Sequence, residues 1–155
     1  MDNSPFVVRR ITLEQAIPVR LDVLRRGTPS QDANYDGDAE PTTAHIGAVV
    51  ADHLPSVVAT STWLMRPWSA DPTRGAVQLR GMAVLDDFQN TGVGAALIAA
   101  GIAHALASNA TYVWAKARDS ALYFYERRGF TVDGDQFMEP ASGVPHHLVV
   151  LELRQ

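Results

Sequence analysis

Residues 92–107 (GVGAALIAAGIAHALA) form the longest low-polarity run in the chain. The run is about sixteen residues long, rich in Ala and interrupted by His104, whereas a membrane span needs roughly twenty strongly apolar residues. It is therefore predicted to be a buried helix. Ile98, Ile102 and Leu106 recur at four-residue spacing and predict its apolar stripe. Directly before it stands a polar stretch, Asp86-Asp-Phe-Gln-Asn-Thr91, and two glycines, Gly92 and Gly94, one residue apart. Two readings of these glycines are open. They start the helix as a plain turn, or they let bare backbone amides at a helix N-terminus face an anion, with no side chain in the way.

The segments around this helix read as strands and shorter helices. Residues 6–11 carry Val and Ile and read as a first strand. Thr12-Leu-Glu-Gln15 has the form of a capping box, and the helix it opens should run to about Arg26 and stop at Gly27. Pro18 lies inside that helix and should kink or split it. Residues 28–41 are polar, acidic and rich in turn formers, and read as a loop. Residues 44–51 and 56–65 form a predicted hairpin, and 76–85 a further strand in which Val77, Leu79, Gly81, Ala83 and Leu85 alternate with Gln78, Arg80, Met82 and Val84. After the buried helix come a strand at 111–115, a helix capped by Asp119 or Ser120 and ended by Gly129, and strands at 130–138 and 147–153. If Gly129 is the left-handed residue ending that helix, Phe130 should fold back onto Tyr125 or Phe124. The order β-α-β-β-β-α-β-α-β-β predicts an α/β (α+β) fold, a mixed and largely antiparallel sheet flanked by helices.

A length of 155 residues predicts one domain spanning 1–155. The net charge of −4, with basic residues dispersed, argues against nonspecific nucleic-acid binding. The absence of cysteine excludes disulfides, thiolate metal sites and a Cys nucleophile. The N-terminal MDNSPFVVRR lacks the apolar core of a signal peptide, and a cytoplasmic location away from membranes is expected.

The glycine pair fits neither common nucleotide motif. A dinucleotide fingerprint needs glycine where Leu97 stands, and a P-loop needs Lys-Ser/Thr where Ala95 and Ala96 follow Gly94. Gln89-Asn-Thr-Gly92-Val-Gly94-Ala95 instead resembles motif A of the GCN5-related N-acetyltransferase (GNAT) family, Gln/Arg-x-x-Gly-x-Gly/Ala. Leu79-Arg-Gly-Met-Ala-Val84 resembles that family's fourth strand, and residues 117–130, with Tyr125-Glu-Arg-Arg-Gly-Phe130, resemble its motif B. The resemblance covers about residue 76 to the C-terminus.

The resemblance implies an acetyl-CoA-dependent N-acetyltransferase with no metal. It implies that Gln89, Asn90, Thr91, Gly92, Val93, Gly94 and Ala95 form the pyrophosphate turn. The amides of Met82, Ala83 and Val84, on a strand splayed from its neighbour, would hold the pantetheine arm and polarise the thioester carbonyl. Tyr125 matches the residue usually assigned as general acid, and packing against Phe130 and the cofactor is its alternative role. Lys116 stands where many members have Asn. Glu139, His146 or a relayed water are candidates for the base. His146 and His147, being adjacent on a strand, should point to opposite faces and not share a metal ion. The acceptor is a small-molecule or peptide amine. Acidic residues at Asp32, Asp36, Asp38 and Glu40 would favour a cationic amine if their loop borders the acceptor cleft. Trp63 and Trp68 are candidates for lining that cleft, or for the core. A catalytically silent acyl-CoA-binding module and an O-acetyltransferase are the competing functions. Oligomeric state is not encoded in these motifs.

Overall fold

A computed structural model describes residues 5–153. Its strands are β1 (Val7–Arg10), β2 (Ala44–Val49), β3 (Val57–Met65), β4 (Ala76–Val84), β5 (Tyr112–Arg118), β6 (Thr131–Met138) and β7 (Pro145–Glu152). Its helices are α1 (Leu13–Leu24), α2 (Val93–Ala107) and α3 (Leu122–Arg127). The element order is the one expected, with 3-10 turns added at Asp86–Phe88 and Asp119–Ala121. The strands form one sheet in the order β1-β2-β3-β4-β5-β7-β6. Every pairing is antiparallel except β4 with β5, where α2 supplies the crossover that a parallel pair requires.

The layering follows from two neighbouring residues of β3. Thr62 takes a hydrogen bond from Arg20 of α1, while the Trp63 ring sits against Gly101 of α2. Adjacent strand residues face opposite sides of a sheet, so α1 and α2 cover opposite faces. The central strand β3 is accordingly buried from Val57 to Leu64.

The α1 start is the expected capping box: Thr12 Oγ1 accepts from the Gln15 amide (3.1 Å) and Gln15 Oε1 from the Thr12 amide (2.9 Å). Pro18, however, does not split α1, which runs unbroken through it. Pro18 lies on the exposed face, so the carbonyl it leaves unbonded is free to meet water. The α2 stripe also differs from expectation. The buried residues are Val93, Leu97, Ile98, Gly101 and Ala105, while Ile102 is half-buried and Leu106 is exposed. In a helix apolar on every side, periodicity gives little contrast, and the Trp63 ring selects a small residue. A Cβ on Gly101 would lie 1.8 Å from that ring. Fully buried residues such as Leu97 and Ile98 each contribute about 1.5–3 kcal/mol.

Neither Asp119 nor Ser120 caps α3. Its N-cap is Ala121, without a side-chain bond, because Asp119 is used elsewhere: its carboxylate takes hydrogen bonds from Gln136 (2.6 Å) and His147 (2.7 Å). The helix does end as expected. Gly129 has φ +94°, and Phe130 returns to pack its ring on Tyr125, with centroids 5.4 Å apart.

Candidate active site

The parallel pairing of β4 and β5 runs from Ala76 opposite Tyr112 to Leu79 opposite Ala115, then stops, although both strands continue. The cause lies in β4. Gly81, at φ +62°, sits where the register with β3 jumps from Thr62–Arg80 to Thr60–Ala83. This is a β-bulge, which bends its strand and increases the local twist. The expected simple alternation of β4 therefore breaks at Gly81. A Cβ there would lie 2.8 Å from the Tyr35 ring, so glycine serves both the turn and the close approach.

The split opens a cleft of about 280 Å³. Its β4 side includes Gln78, Arg80 and Met82; its β5 side includes Lys116, Ala117 and Arg118. Tyr125 closes one side, and Glu139, Ser142 and His146 come from the connection between β6 and β7 and the start of β7. Residues 24–35, at the end of α1 and in the following loop, provide the remaining wall.

That loop is held by a buried ion pair. Arg20, fully buried, donates to both carboxylate oxygens of Asp38 (2.8 and 2.9 Å), to the Ala33 carbonyl (2.9 Å) and to Thr62 Oγ1 (2.7 Å). Asp38 Oδ2 also accepts the Tyr35 amide (2.8 Å). Burial alone would raise the Asp38 carboxyl, but the Arg20 hydrogen bonds and charge and the Tyr35 amide outweigh it and hold it below its ordinary value. Tyr35 is stacked between two guanidinium groups, Arg20 at 4.2 Å and Arg80 at 4.3 Å from its ring centre. The loop thus borders the cleft, yet its carboxylates are largely committed: Asp38 to Arg20 and Glu40 to Arg66 (2.9 Å).

Tyr125 is almost fully buried, and burial pushes its phenol above the ordinary value of 10. The hydroxyl therefore keeps its proton across the working pH range. His146 is buried at the cleft wall, with Nδ1 2.9 Å from the Val144 carbonyl. A carbonyl only accepts, so Nδ1 carries the hydrogen and Nε2 the lone pair. His147 faces away and is paired with Asp119. Among the described residues, no group of three or more His, Asp or Glu side chains could hold a metal ion.

The turn following β4 presents the backbone donors. Asn90 and Gly92 have φ of +62° and +88°, and Gly92 is the α2 N-cap. The first amide of α2 to bond within the helix is that of Ala96, to the Gly92 carbonyl (3.1 Å). The amides of Val93, Gly94 and Ala95 precede it and have no acceptor among the described residues. A Cβ on Gly92 would meet nothing within 4 Å and would point into open space. Gly94 has a different reason to be glycine: its Cβ would lie 3.2 Å from the Phe124 ring and 3.5 Å from Met82 Cε. Gln89 ties the turn back to β4 by donating to the Val84 carbonyl (3.2 Å), and Thr91 donates to the Phe88 carbonyl. Thr91 and Gly92 line a shallow groove against Phe6, Val7 and Val8. Val93 and Ala83 send their side chains into the core and have only backbone to offer.

The geometry thus brings together Met82 and Tyr125 at the cleft, while residues 89–95 lie in the turn after β4 and at the start of α2 and do not line the cleft. Trp63 and Trp68 line no part of the cleft. Trp63 is core, and Trp68 packs on Tyr112 with its Nε1 on Asp133 (3.2 Å). Arg25, Tyr35, Arg80 and Arg118 were not singled out by sequence. The isolated Gly81 inside a strand was the available sign that β4 is irregular there.

The model of the acetyltransferase (GNAT) family matches residues 20–130. The chain belongs to the GNAT family. It is 26% identical over 143 residues to the uncharacterized N-acetyltransferase YitI of Bacillus subtilis (strain 168), covering 92% of this chain and 93% of that one. Among solved structures, FeeM, an N-acyl amino acid synthase from uncultured soil microbes, superposes with a TM-score of 0.78 at 12% identity, covering 95% of this GNAT chain and 90% of FeeM. The NatC complex bound to Gag peptide and CoA gives 0.73 at 14% identity, with 96% and 99% covered. This GNAT enzyme has the seven-stranded, mostly antiparallel sheet expected from its sequence, and among its described residues no helix is long and apolar enough to cross a membrane.

Proposed function

We propose that this GNAT enzyme transfers an acetyl group from acetyl-CoA directly to an amine while both are bound. The observation that carries this reading is the split of β4 from β5 after Leu79 and Ala115, with Tyr125 and Met82 on its wall and the α2 N-terminus, with its free amides, packed toward Met82. The residues present fit the cofactor. Val93, Gly94 and Ala95 offer unbonded amides, Gly92 leaves the space before them open, and the β5-facing edge of β4 beyond Leu79 has no partner strand. Successive amides along a strand point to opposite edges, and the Leu85 amide donates to the Val58 carbonyl beside β3 (2.9 Å), so the Ala83 amide, two residues before it, faces β3 as well. Met82 and Val84 are thus the better-placed pair for the pantetheine arm. Acetyl-CoA supplies the activated thioester carbonyl.

The chain's own groups then divide the work. A β4 amide donates to the carbonyl oxygen as charge grows on it. His146 Nε2 takes a proton from the attacking amine, directly or through one water, and we prefer it to Glu139, whose Oε1 already accepts the Ala141 amide (3.2 Å). Tyr125, kept protonated by burial, gives its proton to the departing thiolate. With no Cys in the chain, no acyl-cysteine step intervenes. A cytoplasmic enzyme is the corresponding expectation.

The test is calorimetric titration with acetyl-CoA, followed by release of CoA thiol across a panel of amines. Binding with amine-dependent release supports the reading. No binding at millimolar acetyl-CoA refutes it.

A further inference from the structure

Four cationic side chains line the cleft, Arg25, Arg80, Lys116 and Arg118, against two carboxylates, Asp32 and Glu139. The chain as a whole carries −4, so this excess of positive charge is local. None of the four cations makes an ion pair with a described residue. Outside the cleft, Arg20 pairs with Asp38, Arg26 with Asp22 and Asp86, Arg66 with Glu40, and Arg74 with Asp71, while Arg9, Arg10, Arg127 and Arg128 pair with no described residue.

The cleft arginines meet only carbonyls and a ring. Arg25 is buried and donates Nε to the Asp32 carbonyl (2.9 Å) and Nη1 to the Leu24 carbonyl (3.3 Å). Arg118 donates one nitrogen to the same Leu24 carbonyl (2.5 Å). The Arg80 side chain makes no hydrogen bond to a described residue and rests on Tyr35. The two carboxylates offset only part of this charge: Asp32 feels Arg25 but pairs with none of the four cations, which still outnumber the carboxylates. Asp32 is turned to its own loop, accepting the Asn34 amide (2.9 Å) and side chain (3.0 Å), and Glu139 accepts the Ala141 amide. Burial first, and the charge of Arg25 second, push the Arg118 guanidinium below its ordinary value. Like charges gathered in a partly desolvated pocket destabilise it until an anion arrives. Guanidinium groups bind carboxylate or phosphate oxygens in paired, charge-assisted hydrogen bonds.

We propose that the acceptor is a small amine that carries its own oxyanion, a carboxylate or a phosphate, which Arg118 and Arg80 receive beside Arg25 and Lys116. The inference rests on the acetyl-transfer reading and deepens it. It reverses the expectation of a cationic acceptor drawn from the acidic loop, whose Asp38 and Glu40 are already neutralised by arginines. An anion anchored at one end of a cleft of about 280 Å³ leaves the amine of a small molecule free to reach the thioester.

The experiment uses the full chain with saturating acetyl-CoA and reads CoA release and product mass. The acceptors are α-amino acids with their α-carboxamides and decarboxylated amines, and O-phosphoethanolamine with ethanolamine. The first sets report on a carboxylate, the last pair on a phosphate. At least one anionic acceptor should exceed its neutralised partner by about 10- to 100-fold in kcat/KM, the range set by a hydrogen bond to a charged group. Arg118→Gln should bring that ratio close to one without changing acetyl-CoA affinity. Arg80→Gln, which removes no protein hydrogen bond, should lower it in the same direction should Arg118→Gln fail to fold. Neutral amines used as well as the anionic ones, or a ratio unchanged in folded variants, would overturn the proposal. Acetyl-CoA binding with no anionic amine turned over overturns the acceptor class alone, whereas absence of acetyl-CoA binding overturns the acetyl-transfer reading and this proposal with it.

Discussion

Asp38→Asn perturbs the bond that fixes the cleft wall, and its cost follows from the geometry. Arg20 is fully buried and Asp38 nearly so, with side-chain exposures of 0% and 6%. The substitution keeps shape but removes the carboxylate that pairs with the Arg20 guanidinium, and one acceptor of the Tyr35 amide is weakened as well. Breaking a buried pair by neutralising one partner costs about 3–5 kcal/mol, because the other charge stays buried. Against a typical total of about 5–15 kcal/mol, the variant should fold but lie close to the edge. For a chain of this size the melting temperature should fall by about 6–20 °C. Urea denaturation, with the midpoint lowered and the slope unchanged, measures the loss directly. The exposed pair Arg26–Asp22 (57% and 53%) is the control, and Asp22→Asn should give no resolvable change. Asp38 is held below its ordinary carboxylate value, so the pair's contribution is complete above about pH 4 and is lost as pH falls through the lower folded value. In Asp38→Asn that part of the acid transition should disappear. A loss below about 1 kcal/mol would refute the reasoning, since it would mean that water reaches Arg20 readily.

Tyr125→Phe keeps the ring on Phe130 and removes only the hydroxyl, so stability and acetyl-CoA affinity should hold while the single-turnover rate falls by about 10²- to 10⁴-fold. An unchanged rate would leave Tyr125 a packing residue. His146→Gln should lower kcat/KM, whereas an unchanged kcat/KM would move the base to Glu139 or water. Gly92→Ala should cost about 1–2 kcal/mol for its left-handed φ and weaken acetyl-CoA binding in a folded protein; calorimetry at wild-type affinity would place the phosphates elsewhere. Gly101→Ala should destabilise by about 1–3 kcal/mol through the Trp63 ring, read by thermal melting.

The sequence made some of this legible and hid the rest, for reasons that differ from residue to residue. The capping box at Thr12, the hairpin of β2 and β3 and the return of Phe130 onto Tyr125 are local: their partners lie within a few residues, or across one short turn. The polar turn and paired glycines before α2 were legible for the same reason, although only Gly92 owes its identity to conformation. Gly94 owes its own to Phe124, thirty positions on, a contact that no pattern of neighbours reveals. Pro18 does not split α1 because its effect depends on which face of the helix meets water, and the α2 stripe was misread because the deciding partner, Trp63, lies on a distant strand.

The cleft's electrostatics lay furthest from view. A count of Asp and Glu between 32 and 40 suggested a surface for cations. The sign of a pocket, however, is set by which charges remain unpaired after folding. Asp38 is consumed by an arginine of α1 and Glu40 by Arg66, while Arg118 arrives from the end of β5 and Arg80 from β4 without an ion pair to any described residue. One device links these facts. The bulge at Gly81 admits Tyr35 against the β4 backbone, Tyr35 stacks between Arg20 and Arg80, and Arg20 holds the loop through Asp38. The irregularity that splits β4 from β5 therefore also docks the loop that walls the cleft. A bulkier residue at position 81 should damage both together: Gly81→Val should lower stability and acetyl-CoA affinity in the same variant, and the loss of only one would separate the two roles.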